Sequence, residues 1–171
     1  MNLRKISFVL IGLTVIFTAV SAFAQVSSFS DPNVEYTFDL PDTKWKMIGK
    51  PSATNPNVEY VYGDRIDGLF SVRKTSLTKD TKLTDVINDE EQKRQFLPGY
   101  VKGKDEIFAG KLKGAILNYE YVNAGHNMGG RTYFLRAGDA TVYVLRFTGL
   151  RDSLRSLRNQ TDQIARSFAV K

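Results

Sequence analysis

The chain has 171 residues with 24 Lys and Arg against 18 Asp and Glu, a net charge of +6, and no cysteine. A disulfide scaffold, a thiol nucleophile and a cysteine-held metal are therefore excluded, and a chain of this length carries one domain with its own core. The basic excess is uneven, because residues 131–171 hold 8 basic and 3 acidic groups.

The first 24 residues read as a secretory signal. Arg4 and Lys5 precede an apolar run from Ile6 to Val20, and Ser21-Ala22-Phe23-Ala24 sets small residues ahead of a cut between Ala24 and Gln25. The apolar run is shorter than the roughly 20 residues that span a bilayer. Export to the periplasm or the exterior is expected, and a cysteine-free exported domain suits a bacterial envelope. Export also argues against nucleic acid as a partner.

Residues 25–33 read as an exposed lead-in, and 34–171 as one domain. Val34 to Leu40 alternates apolar and polar, the pattern of a half-buried strand stopped by Pro41. A loop is expected over Pro51 to Pro56, a strand over Val58 to Tyr62, and a turn from Gly63 to Gly68. A returning strand follows over Leu69 to Thr75. The spacing of Leu83, Val86, Ile87 and Leu97 predicts a helix ended by Pro98-Gly99, with Glu90 and Arg94 on the same arc. Tyr100 to Phe108, Ala115 to Val122, Arg131 to Ala137 and Thr141 to Phe147 read as an antiparallel meander. Val142 to Leu145 is apolar on both faces, which marks a central strand covered on both sides. Leu150, Leu154, Leu157, Ile164 and Phe168 keep within about 40° of one line on a helical wheel, which predicts one long amphipathic C-terminal helix. The echo of Pro32-Asn33-Val34-Glu35-Tyr36 in Pro56-Asn57-Val58-Glu59-Tyr60 marks two similar strand entries.

Tyr36-x-Phe38-x-Leu40-Pro41 with Trp45 shortly after, and Ile164-Ala165-Arg166-Ser167-Phe168 near the end, resemble the PsbP-like α/β/α sandwich family, which includes the DcrB-type envelope proteins. The resemblance implies an α+β fold, an antiparallel sheet flanked by helices. It also implies an exported accessory or assembly factor without catalytic chemistry of its own. The metal-associated roles of the plant photosynthetic members are not carried over, since none of their ligands matches a position here, and no cofactor is expected.

Each candidate site has a plainer alternative. His126, the only histidine, sits in a glycine-rich stretch and reads as a solvent-facing turn residue. Asp64 and Asp67 fall short of the five or more oxygens that calcium needs, and aspartate favours turns. Glu90 and Arg94 form either a polar pocket pair between helix and sheet or an internal pair at the edge of the buried face. Arg151, Arg155 and Arg158 make a stripe on the last helix, with Arg166 near it, suited to an anionic partner or simply solvated. Tyr119, Tyr121, Tyr133, Phe134, Tyr143 and Phe147 read as core or cross-strand pairs before ligand platforms.

Three functions remain open at this point. The first is a monomeric, non-catalytic accessory or binding module meeting an envelope protein or an anionic envelope component. The second is a carrier of a small amphipathic ligand between sheet and helix. The third is a hydrolase, which would require Asp64, Asp67 and Glu120 in one cleft.

Overall fold

The computed structural model describes residues 26–78 and 80–171; the cut between Ala24 and Gln25 lies outside the described residues. The main sheet is antiparallel and is built from β3 (Trp45–Gly49), β4 (Val58–Tyr62), β5 (Asp64–Ser76), β10 (Thr141–Leu150), β9 (His126–Arg136) and β8 (Lys113–Asn123) in that spatial order. Two short strands, β6 (Val101–Lys102) and β7 (Glu106–Ala109), share the outer edge of β8. A separate small sheet sets β2 (Tyr36–Leu40) between β1 (Ser27–Ser30) and β11 (Ala169–Val170).

Alternation along the strands divides the core. Phe70 and Val72 of β5, Tyr133 and Leu135 of β9, and Tyr143, Leu145 and Phe147 of β10 point to one face. There they meet Phe29, Tyr36 and Phe38 of the small sheet. The helices α2 (Arg151–Ser156) and α3 (Arg158–Ser167) complete this layer with Leu154, Ile164 and Ala165, and Phe168 packs there just beyond α3. Leu117 of β8, Phe134 of β9, and Val142 and Val144 of β10 point the other way, against Val86 of α1 (Leu83–Gln92). Val142 to Leu145 is buried throughout, as a central strand requires. The two echoed segments enter β2 and β4, each burying its Val and Tyr.

Several elements differ from the sequence expectation. The lead-in is not wholly exposed: Ser27–Ser30 pairs with β2, and Phe29 stacks on Phe38 at 4.6 Å. A single buried residue in SSFS leaves no alternation to read. The Gly63 to Gly68 turn shrinks to Gly63 alone (φ 65°), so Asp64 and Asp67 lie on β5. Tyr100 to Phe108 is not one strand, because Gly103 to Asp105 interrupts it between β6 and β7. Strand β3 escapes the period-2 pattern because it lies at the edge, with Met47 and Ile48 exposed.

The long C-terminal helix is two helices. Leu157, at φ −83° and ψ 0°, separates α2 from α3; Leu150 ends β10, and Phe168 (φ −59°, ψ 125°) has already left the helix. The bend is shallow, because Leu157 N–H still bonds Ser153 O and Thr161 N–H bonds Leu157 O. The apolar line survives such a bend, which is why the wheel could not register it. Helix α1 also ends sooner than expected: beyond Gln92 it tightens into i→i+3 bonds, Arg94 to Glu91 and Leu97 to Arg94, ahead of Pro98. No helix among the described residues is long and apolar enough to cross a membrane.

Candidate functional site

Helix α1 covers only part of its face of the sheet. On β10 the outward positions change from Val142 and Val144 to Arg146 and Thr148, and on β5 they are Leu69, Ser71 and Arg73. Arg146, Thr148, Ser71 and Arg73 give an apolar helix face little to bury, and the sheet is open there. The bare area becomes a cavity of about 660 Å³, walled by the end of α1, the turn through Leu97-Pro98, and Tyr119 and Tyr121 of β8.

Glu90 lies at the centre and is 1 % exposed. Its Oε2 accepts hydrogen bonds from Arg94 Nη2 at 2.9 Å and Arg146 Nη2 at 3.0 Å. Its Oε1 accepts one from Arg73 Nη2 and lies 3.6 Å from Lys93 Nζ. Burial alone would raise the Glu90 pKa, but the hydrogen bonds and charges of Arg73 and Arg94 prevail and hold it at about 2. Arg94 is itself buried and lies 5.1 Å over the Tyr119 ring. Arg73 and Arg146 have side chains 44 % and 38 % exposed, so their charge faces solvent.

The cavity lining therefore contains four cations, Arg73, Lys93, Arg94 and Arg146, and two acids, Glu59 and Glu90. Buried Arg146 Nε has no hydrogen-bond partner. Glu90 and Arg94 are hydrogen-bonded to each other, and both line the cavity. Sequence reasoning missed Arg73 and Arg146. For Arg146 the available signal was the change from Val142 and Val144 to polar residues on one face of β10, whereas Arg73 follows the ordinary alternation of β5.

The arginine stripe is distributed between separate contacts. Arg158 Nη2 contacts both oxygens of Glu106, at 3.1 and 3.0 Å. Arg151 lies 3.7 Å from Glu120, and Arg155 3.6 Å from Asp152. These three arginines line a groove of about 480 Å³ that also includes Lys104 and Arg131. Arg166 lies apart, bonded to Ala109 O and over the Phe108 ring.

Of the aromatics, Tyr119 and Tyr121 line the cavity, whereas Tyr133, Phe134, Tyr143 and Phe147 are core. His126 is exposed as the first residue of β9, after a two-residue turn at Ala124-Gly125. Asp64 and Asp67 lie on β5, separated from Glu120 on β8 by β10 and β9, so the three carboxylates share no cleft. Among the described residues no three His, Asp or Glu side chains gather as a metal site.

No family model matches the chain, and no curated protein matches it. Solved structures do. Cyanobacterial PsbP from Synechocystis superposes with a TM-score of 0.62 at 15 % identity, covering 89 % of this chain and 96 % of that one. The fold is PsbP-like. Two further structures with this fold are similar. LpqN of Mycobacterium tuberculosis, described as involved in cell envelope biogenesis, gives a TM-score of 0.59 at 19 % identity over 85 % of this chain and 91 % of that one. A point mutant of the protein Mog1 gives 0.60 at 10 % identity over 85 % and 96 %. At these identities the likeness is one of the PsbP-like architecture, not of activity.

Proposed function

We propose that the protein is an exported, non-catalytic binding module of the bacterial envelope, and that its site is the cavity beside α1. One observation carries this reading: four cations and two acids line an open cavity of about 660 Å³, within the roughly 300–1,000 Å³ of small-molecule sites. The description of LpqN as an envelope-biogenesis protein on the same fold agrees with it. The test is native mass spectrometry of the mature chain purified gently from its own envelope fraction. A bound mass of a few hundred daltons, lost on substitution of Arg146, is expected. A bare chain under every gentle condition overturns the reading.

A second reading keeps the α2–α3 flank as a docking face for an acidic partner. It is favoured by Arg151 Nε, which is buried without a hydrogen bond, and by the 69 % exposure of the Arg155 side chain. Co-purification of a partner that Arg151→Gln and Arg155→Gln abolish, and Arg146→Gln does not, would move the site there.

A further inference from the structure

Three guanidinium groups and one ammonium converge on a single carboxylate in the cavity beside α1. Like charges held this close repel one another, and the two acids of the lining, Glu90 and Glu59, offset only two of the four. Lys93 has Asp89 at 2.5 Å as a second partner, whereas the carboxylate of Glu90 is the only acidic contact of Arg73, Arg94 and Arg146 among the described residues.

The three arginines are not equivalent. Arg94 is enclosed: Nη1 donates to Glu90 O, Nη2 to the Glu90 carboxylate, and the group lies over Tyr119. Its role is to hold the end of α1 on the sheet. Arg73 and Arg146 each give Nη2 to Glu90 and reach the cavity opening, and Arg146 Nε lies buried with nothing to bond. An orphaned buried donor destabilises the site, and an incoming oxygen relieves that cost. An arginine fork suits a carboxylate, sulfonate or phosphate, which accepts two parallel N–H bonds.

The remaining walls have a different chemistry. Leu69, Leu97, Pro98 and Val122 line the cavity beside the stacked pair Tyr119 and Tyr121, whose ring centroids are 5.9 Å apart. A small inorganic anion would leave these surfaces and most of the volume unfilled.

Resting on the binding-module reading, we infer that the ligand is an amphipathic oxyanion. Its head is held by Arg73 and Arg146, and its apolar body lies on Tyr121, Leu97 and Leu69. Glu90 and Arg94 are the frame of the site, and Arg73 and Arg146 are its selective part.

A matched pair of dyes tests this on the mature chain: 8-anilinonaphthalene-1-sulfonate, and N-phenyl-1-naphthylamine, which has the same aromatic skeleton without the sulfonate. The sulfonate dye is expected to bind about tenfold or more tighter than the neutral one, with affinity falling as salt rises. Arg73→Gln and Arg146→Gln should each weaken the sulfonate dye about tenfold and leave the neutral dye unchanged, which also shows that the variants fold. Arg155→Gln, on the far face, should alter neither. Dodecyl phosphate should displace the sulfonate dye at concentrations where inorganic phosphate does not.

Equal binding of the two dyes, insensitive to Arg73 and Arg146, overturns the anionic head while the cavity remains a binding site. Equal displacement by inorganic phosphate overturns the apolar body. Loss of binding in Arg155→Gln relocates the site and overturns the inference. No binding of either dye overturns it together with the reading on which it rests.

Discussion

Arg94 Nη2, just beyond the end of α1, donates to Glu90 Oε2 at 2.9 Å, and Arg146 Nη2 reaches the same oxygen at 3.0 Å from β10. The carboxylate thereby joins the helix to the sheet where no apolar contact does. Glu90 titrates at about 2 in the folded protein, below its ordinary 4.5. A depressed carboxylate stabilises the fold fully above its unfolded pKa, and that contribution declines as pH falls from about 4.5 towards 2. Glu90→Gln is expected to lower stability by roughly 3 kcal/mol at pH 7. The gap to the parent should narrow at pH 3, as measured by urea unfolding. Parallel curves for the two proteins would remove the assigned role of Glu90.

Arg131 makes the second buried cationic junction, on the opposite face. It is 5 % exposed and donates to Tyr133 Oη at 2.7 Å, Asn118 Oδ1 at 2.6 Å and Asp162 Oδ1 at 2.9 Å. Arg131→Met should destabilise by about 2–3 kcal/mol, because it leaves buried hydroxyl and amide groups without their donor. Arg158→Gln, which removes an exposed pair with Glu106, should cost less than about 1 kcal/mol. Comparing the two unfolding midpoints checks the ranking.

Gly130 stands opposite Tyr119 in the β8–β9 register, and a Cβ there would lie 2.0 Å from Tyr119 Cζ. The ring lies across the bare glycine and in turn supports Arg94. Gly130→Ala should therefore cost about 1–3 kcal/mol through overpacking. It should also move Tyr119 towards the cavity and weaken binding of the sulfonate dye. A variant with unchanged melting temperature and dye affinity would show that the ring has room to shift.

How much of this could be read in advance depends on burial on each side of an element. Val142 to Leu145 announced a central strand because both faces are covered, and the Ile164 to Phe168 segment announced its packing face. The bend at Leu157 left no mark, since the residue keeps its inward direction through it. Phe29 gave no pattern because one buried residue has no period. Glu90 and Arg94 were visible as intruders on an apolar arc, but what they face is supplied by β5 and β10, distant in sequence. The cavity follows from sheet order, and neither Arg73 nor Arg146 stands out until those strands are laid side by side.

The β8–β9 turn offers a gain in stability. Ala124 and Gly125 have φ of 49° and 79°, the paired positive values of a two-residue type I′ turn. Asparagine tolerates that region better than alanine, so Ala124→Asn should stabilise by about 0.5–1 kcal/mol. Gly125→Ala should destabilise although nothing lies within 4 Å of the added carbon, because its cost is in the backbone alone. Thermal unfolding of the two variants should shift in opposite directions.

The small sheet links the two ends of the described chain. Lys171 Nζ donates to Asp31 O at 2.7 Å across 140 residues, and β11 lies along β2 beside it. Such a closure has no local partner to start from, so it waits until nearly the whole domain has emerged from the ribosome. Until then the edge of β2 that pairs with β11 stays open. The domain is thus fastened by contacts between its most sequence-distant described segments rather than by local ones.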